Sequence, residues 1–155
     1  MKRILFLFAL FATVFSLTAC GGPKEVITAE EFINFMEARG YTVENYTDLQ
    51  GADSAIETLL VAETGDFWVE FIVLETENQA RSLYNNIRSD FEANSGNVVT
   101  RRFSAEVSNF ARFRQTTAGR FEAIARVENT IMLTVSDAEH RDKVEALFEA
   151  IGYFR

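Results

Sequence analysis

Residues 67–91 read FWVEFIVLETENQARSLYNNIRSDF. The period of the apolar residues changes inside this stretch. Phe67, Val69, Phe71 and Val73 alternate with Trp68, Glu70, Ile72 and Leu74, the two-residue period of a strand. From Ala80 onward the apolar residues are Leu83, Tyr84, Ile87 and Phe91, spaced i+3, i+4, i+7 and i+11, the period of one helix face. Thr76-Glu77-Asn78-Gln79 stands at the junction in the form of a capping box, which predicts a helix over 77–93.

The same signals extend in both directions. Upstream, Ile56–Glu63 and Phe67–Glu75 flank Thr64-Gly65-Asp66 as a hairpin. A second capping box, Thr28 to Glu31, opens a helix over 29–39 with Phe32, Phe35 and Met36 inward and Gly40 as its stop. Downstream, strands are expected over Val98–Ala105, Asn109–Thr116, Arg120–Val127 and Thr130–Val135, with Ala118-Gly119 and Glu128-Asn129 as tight turns. A third box, Ser136 to Glu139, predicts a helix over 137–151, with Val144, Leu147, Phe148 and Ile151 inward and Gly152 past its end. The expected order is α-β-β-α-β-β-β-β-α. Short turns between consecutive strands imply an antiparallel sheet of about six strands in an α+β fold, with helices packed mainly on one face. From Phe67 onward this order resembles one half of the TATA-binding-protein-like folds, a likeness that implies nothing about activity.

Composition narrows the function classes. The chain has 155 residues, 48% hydrophobic and 25% charged, which is globular composition. A formal net charge of −8 speaks against nucleic acid as a partner, because phosphate binding needs a basic surface. One Cys and one His exclude a disulfide framework and multi-histidine or cysteine-based metal sites.

The most specific signal lies at the N-terminus. Lys2 and Arg3 precede an almost wholly apolar run from Ile4 to Leu17, too short for a membrane-spanning helix and right for a secretory signal. The run ends in Leu17-Thr18-Ala19-Cys20, followed by Gly21 and Gly22. This segment resembles the lipobox of bacterial lipoprotein precursors. The resemblance implies cleavage before Cys20, a diacylglyceryl group on its thiol, and attachment to a membrane on the extracytoplasmic side of a bacterial cell envelope. Two acyl chains suffice for stable attachment where one does not. The expected organisation is a signal peptide over 1–19, a lipidated Cys20 with a short tether over 20–26, and one α+β domain over 27–155. Loss of Lys2 and Arg3 takes the net charge from −8 to −10, so lipid and not a basic patch would hold the body at an anionic surface. The whole is similar to the small uncharacterised lipoproteins of bacterial envelopes.

One sheet face stands out. If odd positions face the helices, the even positions form a mixed face carrying Trp68, Arg112, Arg114, Arg120 and Arg126. Trp and Arg are the residues most enriched at interaction hot spots, so these five are the candidate binding surface. No nucleophile elbow, phosphate loop, dinucleotide fingerprint or calcium loop occurs. Asp137, Glu139 and Asp142 are read as acids offsetting a helix dipole and not, with the lone His140 beside them, as metal ligands. The expectation is therefore a non-catalytic binding or interaction module for an envelope protein, without metal or cofactor. The alternative is a small-ligand carrier with a pocket between sheet and helices.

Overall fold

A computed structural model describes residues 24–51, 54–95, 99–107 and 109–154. The expected leader over 1–19, the lipidated Cys20 and the first part of the tether lie outside the described residues. The elements in chain order are α1 (Ala29–Glu37), β1 (Thr42–Asn45), β2 (Ile56–Glu63), β3 (Trp68–Leu74), α2 (Glu77–Asn94), β4 (Val99–Val107), β5 (Phe110–Thr117), β6 (Arg120–Val127), β7 (Thr130–Asp137) and α3 (Arg141–Ala150). A 3-10 turn, Thr47–Leu49, follows β1, and another, Ala138–His140, leads into α3.

The fold is α+β. Its sheet has seven strands in the order β1-β2-β3-β7-β6-β5-β4, every neighbouring pair antiparallel. The extra strand is β1, four residues on the outer edge of β2, and its partly exposed side chains carry little apolar signal.

Helices cover both faces, not mainly one. On the front face, α1 and α3 pack Phe32, Met36, Val144 and Phe148 over Leu60, Val69, Phe71, Phe121, Ala123 and Met132. On the back face, α2 packs Ala80, Tyr84 and Phe91 over Ile72, Phe113, Ile124 and Ile131. The reason is visible in the central strands: Phe71-Ile72 and Ile131-Met132-Leu133 are apolar at both parities, the mark of strands buried on two sides.

Three capping boxes were expected, and they fare differently. At α1 the box is complete: the Glu31 backbone N–H donates to Thr28 Oγ1 at 3.1 Å, and the Thr28 N–H donates to Glu31 Oε2 at 2.7 Å. At α2 the Gln79 N–H donates to Thr76 Oγ1 at 3.3 Å. At Ser136 there is no cap; β7 continues to Asp137 and α3 begins only at Arg141. The helix stops are as expected. Gly40 and Gly152 take φ of +82° and +96°, and the next residues, Tyr41 and Tyr153, donate back to Met36 O and Phe148 O at 3.2 and 2.8 Å.

The chain entering α1 is not loose. The Lys24 N–H donates to Asn109 Oδ1 at 3.3 Å, Asn109 Nδ2 donates to Lys24 O at 2.9 Å, and Lys24 Nζ donates to Gly152 O at 2.8 Å. Val26 and Ile27 pack against the front core. Lys24, inside the segment expected as tether, is thus held at the end of the sheet formed by the β4–β5 turn.

Candidate functional site

The structure does not bring the five expected surface residues together. Two-residue hairpins decide this. Thr117 and Arg120 flank one such turn and Val127 and Thr130 another, so β5 and β6 pair as Arg112 with Ala125 and Arg114 with Ala123. The two members of each pair have opposite parity, so a face that is even-numbered on β6 is odd-numbered on β5 and β7. Arg112 and Arg114 therefore lie on the front face with Ala123 and Ala125. Trp68, Arg120 and Arg126 lie on the back with Ile124 and Ile131.

Each of the five has a distinct setting. Arg126 is 0% exposed beneath the start of α2; its Nη1 donates to Glu77 Oε1 at 3.0 Å and Glu128 O at 3.1 Å. Arg112 donates to Phe154 O and stands over the rings of Phe103 and Phe110 at 4.8 and 5.7 Å. Burial and the neighbouring Arg114 cation lower the Arg112 pKa. Arg114 pairs with Glu145 of α3 at 3.2 Å and lies 5.2 Å from the Phe103 ring centre. Trp68 is half-buried against the back core, and it shares a shallow depression of about 420 Å³ with Arg120, Asp66 and Asp137.

A deeper groove of about 430 Å³ runs between α3 and strands β4 to β6. Its walls include Arg101, Phe103, Arg114, Phe121, Arg141 and Glu145. Arg102 also borders it but turns its guanidinium to the back face, onto Gln115. The cations of the groove are therefore Arg101, Arg114 and Arg141, of which Arg114 pairs with Glu145 and Arg141 with Asp142, on a protein of net charge −8. Arg101 is exposed and makes no ion pair among the described residues. Phe103 is 39% exposed, which is unusual for a large aromatic side chain. Of the five expected residues only Arg114 belongs to this groove. The sequence signal that points to the rest is Arg101-Arg102-Phe103 on β4.

Behind the groove is a buried polar cluster. Gln115 Nε2 donates to Phe91 O at 2.6 Å and Glu122 Oε2 at 2.5 Å, while Arg102 donates to Gln115 Oε1 at 2.9 Å and Arg120 pairs with Glu122 at 3.1 Å. These contacts join the end of α2 to β4, β5 and β6, so the groove stands on a firm floor.

Two further acidic features lie outside the groove. Asp137, Glu139 and His140 bring ligand atoms within 4.8 Å of one another, but both carboxylates are exposed and Glu139 pairs with His140 at 3.6 Å. Glu70 on β3 lies between Val61 and Leu133 and makes no ion pair among the described residues; burial raises its pKa above the ordinary 4.5. A raised folded pKa means that Glu70 favours the fold while protonated. That contribution is lost as pH rises through 4.5 and on through the higher folded value. Glu70→Gln should therefore melt higher than the parent at pH 7, by roughly 2 °C because a half-exposed carboxylate stays partly solvated, and the difference should vanish below pH 4. A lower melting temperature for the variant at pH 7 would contradict this.

No family model and no curated protein matches the chain. A solved structure of a GTP binding regulator from Thermotoga maritima is similar over 81% of this chain and 87% of its own, at 18% identity and a TM-score of 0.47. A likeness at this level carries no argument about activity. Among the described residues no helix is long and apolar enough to cross a membrane.

Proposed function

We propose that the protein is a bacterial lipoprotein, held by a diacylglyceryl group on Cys20 at the extracytoplasmic side of the envelope, whose domain is a non-catalytic module that binds another envelope protein. The observation that carries the binding reading is the arginine-lined groove. It concentrates cations on an acidic body, exposes an aromatic ring, and rests on a hydrogen-bonded floor. Its place in the molecule supports the same reading. Lys24 is fixed at the β4–β5 turn and the last turn of α3, whereas the groove lies at the start of α3 and the far end of β5. A chain anchored at Cys20 would thus present the groove away from the bilayer.

A second reading is favoured by the same groove lying between sheet and helix: a carrier of a small anionic ligand. The native mass of the full chain, extracted gently from the envelope of its source cell, separates the two. A complex with a second protein is expected; added mass of small-molecule size would instead favour the carrier, and a bare monomer would count against both. The anchor is tested separately. Cys20→Ser should abolish lipid labelling and move nearly all of the protein out of the membrane fraction. Retention of label in that variant would overturn the lipoprotein reading.

A further inference from the structure

The groove is bordered by the free edge of the sheet. Among the described residues strand β4 closes the order β1-β2-β3-β7-β6-β5-β4 and pairs only with β5. It is nine residues long, and its regular pairing runs from Arg101 opposite Thr116 to Val107 opposite Phe110. Apart from Val99 and Ala105 its residues are exposed. The opposite edge, β1, has four residues. An edge strand of this length offers a row of backbone N–H and C=O groups with no partner in the sheet, the template on which an extended segment adds as a further strand.

The side chains beside that edge state which segment fits. Arg101 and Phe103 alternate along β4 on the front face, since Arg101 sits opposite Thr116 and Phe103 opposite Arg114. Behind them the groove supplies Arg114, paired with Glu145 at 3.2 Å, and Arg141, paired with the exposed Asp142 at 2.6 Å, partners that an incoming carboxylate would share or displace. On the back face Arg102 turns inward and donates to Gln115 and Ser95, so it is not part of this row. A strand laid against β4 would place alternate side chains over this row of cations and one exposed ring.

We propose that the occupant is an extended acidic protein segment, with Asp or Glu at alternate positions, which adds to β4 as an eighth strand and sets its carboxylates against Arg101, Arg114 and Arg141. This rests on reading the domain as an interaction module and adds the partner's chemistry and its mode of binding. Edge arginines also discourage indiscriminate pairing, so the charge pattern selects the partner while the backbone supplies much of the affinity.

The test uses the full chain in mild detergent and two labelled eight-residue peptides, one alternating Glu and Val, the other alternating Lys and Val. The glutamate peptide should bind, measured by fluorescence anisotropy, and slow amide hydrogen exchange across Arg101–Val107; the lysine peptide should not bind. Arg101→Glu should weaken binding about tenfold, since an attraction becomes a repulsion. Arg101 is exposed, so this variant is expected to fold, which its melting temperature checks. Binding without protection of β4 would overturn strand addition and leave the interaction-module reading standing. Equal binding of both peptides, no binding of either, or pairing of two copies through β4 would each overturn the proposal. Capture of a protein in the native-mass experiment together with no binding of either peptide would show that the partner chemistry, and not the function, had been misread.

Discussion

Arg126→Ala is expected to cost about 3–4 kcal/mol, or roughly 10–15 °C in melting temperature, whereas Arg126→Met should stay within about 1 kcal/mol of the parent. The asymmetry follows from where the guanidinium sits. It is fully enclosed between α2 and the sheet; Nη1 serves Glu77 Oε1 and the carbonyls of Asn109 and Glu128, while Nε and Nη2 have no partner among the described residues. Alanine leaves a void the size of a long side chain and removes every bond at once. Methionine fills most of that volume and removes a buried charge along with two unpaired donors. Glu77 is not stranded by either change, because it is half-exposed and keeps Arg81 at 3.1 Å. Nearby, Tyr84 is buried with its phenol unpartnered among the described residues, and burial pushes its pKa up to about 12. Denaturant unfolding of the two variants checks the prediction. Equal losses for alanine and methionine would mean that the bonds of Arg126, and not its volume, hold α2 to the sheet.

Phe32→Ala should cost about 3–4 kcal/mol, the range for an enclosed aromatic ring. Phe32 is 0% exposed and stacks on Phe71 with centroids 4.7 Å apart and planes 14° apart. The nine-residue α1 fully buries only Phe32 and Met36, with Ala29, Ile33 and Phe35 packed partly buried beside them, so a large share of its attachment goes with the ring. The loss should be local before it is global: amide exchange in 29–37 should quicken well below the denaturant concentration that unfolds the sheet. Phe32→Leu should recover more than half of the stability. Uniform exchange loss across all strands would show that α1 is not a separable layer.

Period and punctuation made most elements readable. β2 and β6 fall on the residues expected from apolar patterning and flanking turns, and α1 and α2 start where Thr28 and Thr76 place them. What failed was register. A two-residue turn reverses the parity between neighbouring strands, and carrying one parity across Ala118-Gly119 and Glu128-Asn129 merged two faces into one. The error also concealed the second helix layer, because a face believed to hold four arginines was not expected to receive α2. The groove was only partly legible. Arg114 was singled out for its residue type, but the value of Arg101 and Phe103 depends on β4 being the sheet's last strand, and strand order is not written in local pattern. The false cap at Ser136 has the same origin: β7 takes Ser136 and Asp137 into its ladder with β6, so they cannot open a helix.

The docking of Lys24 onto Asn109 and Gly152 sets the length of a leash. Between Cys20 and Lys24 the backbone spans at most about 14 Å. The eight residues of β5 add roughly 24 Å from the β4–β5 turn to its far end. For a chain anchored at Cys20, the groove then patrols a shell no more than about 40 Å above the bilayer. A partner fixed in the same membrane would meet it at an effective concentration far above that of a freely diffusing one, and the proposed strand addition would then be well occupied even if weak. Asn109→Ala would remove two of the hydrogen bonds that hold Lys24 while leaving its bond to Gly152 O and the groove in place, and would loosen the leash in part with intrinsic affinity unchanged.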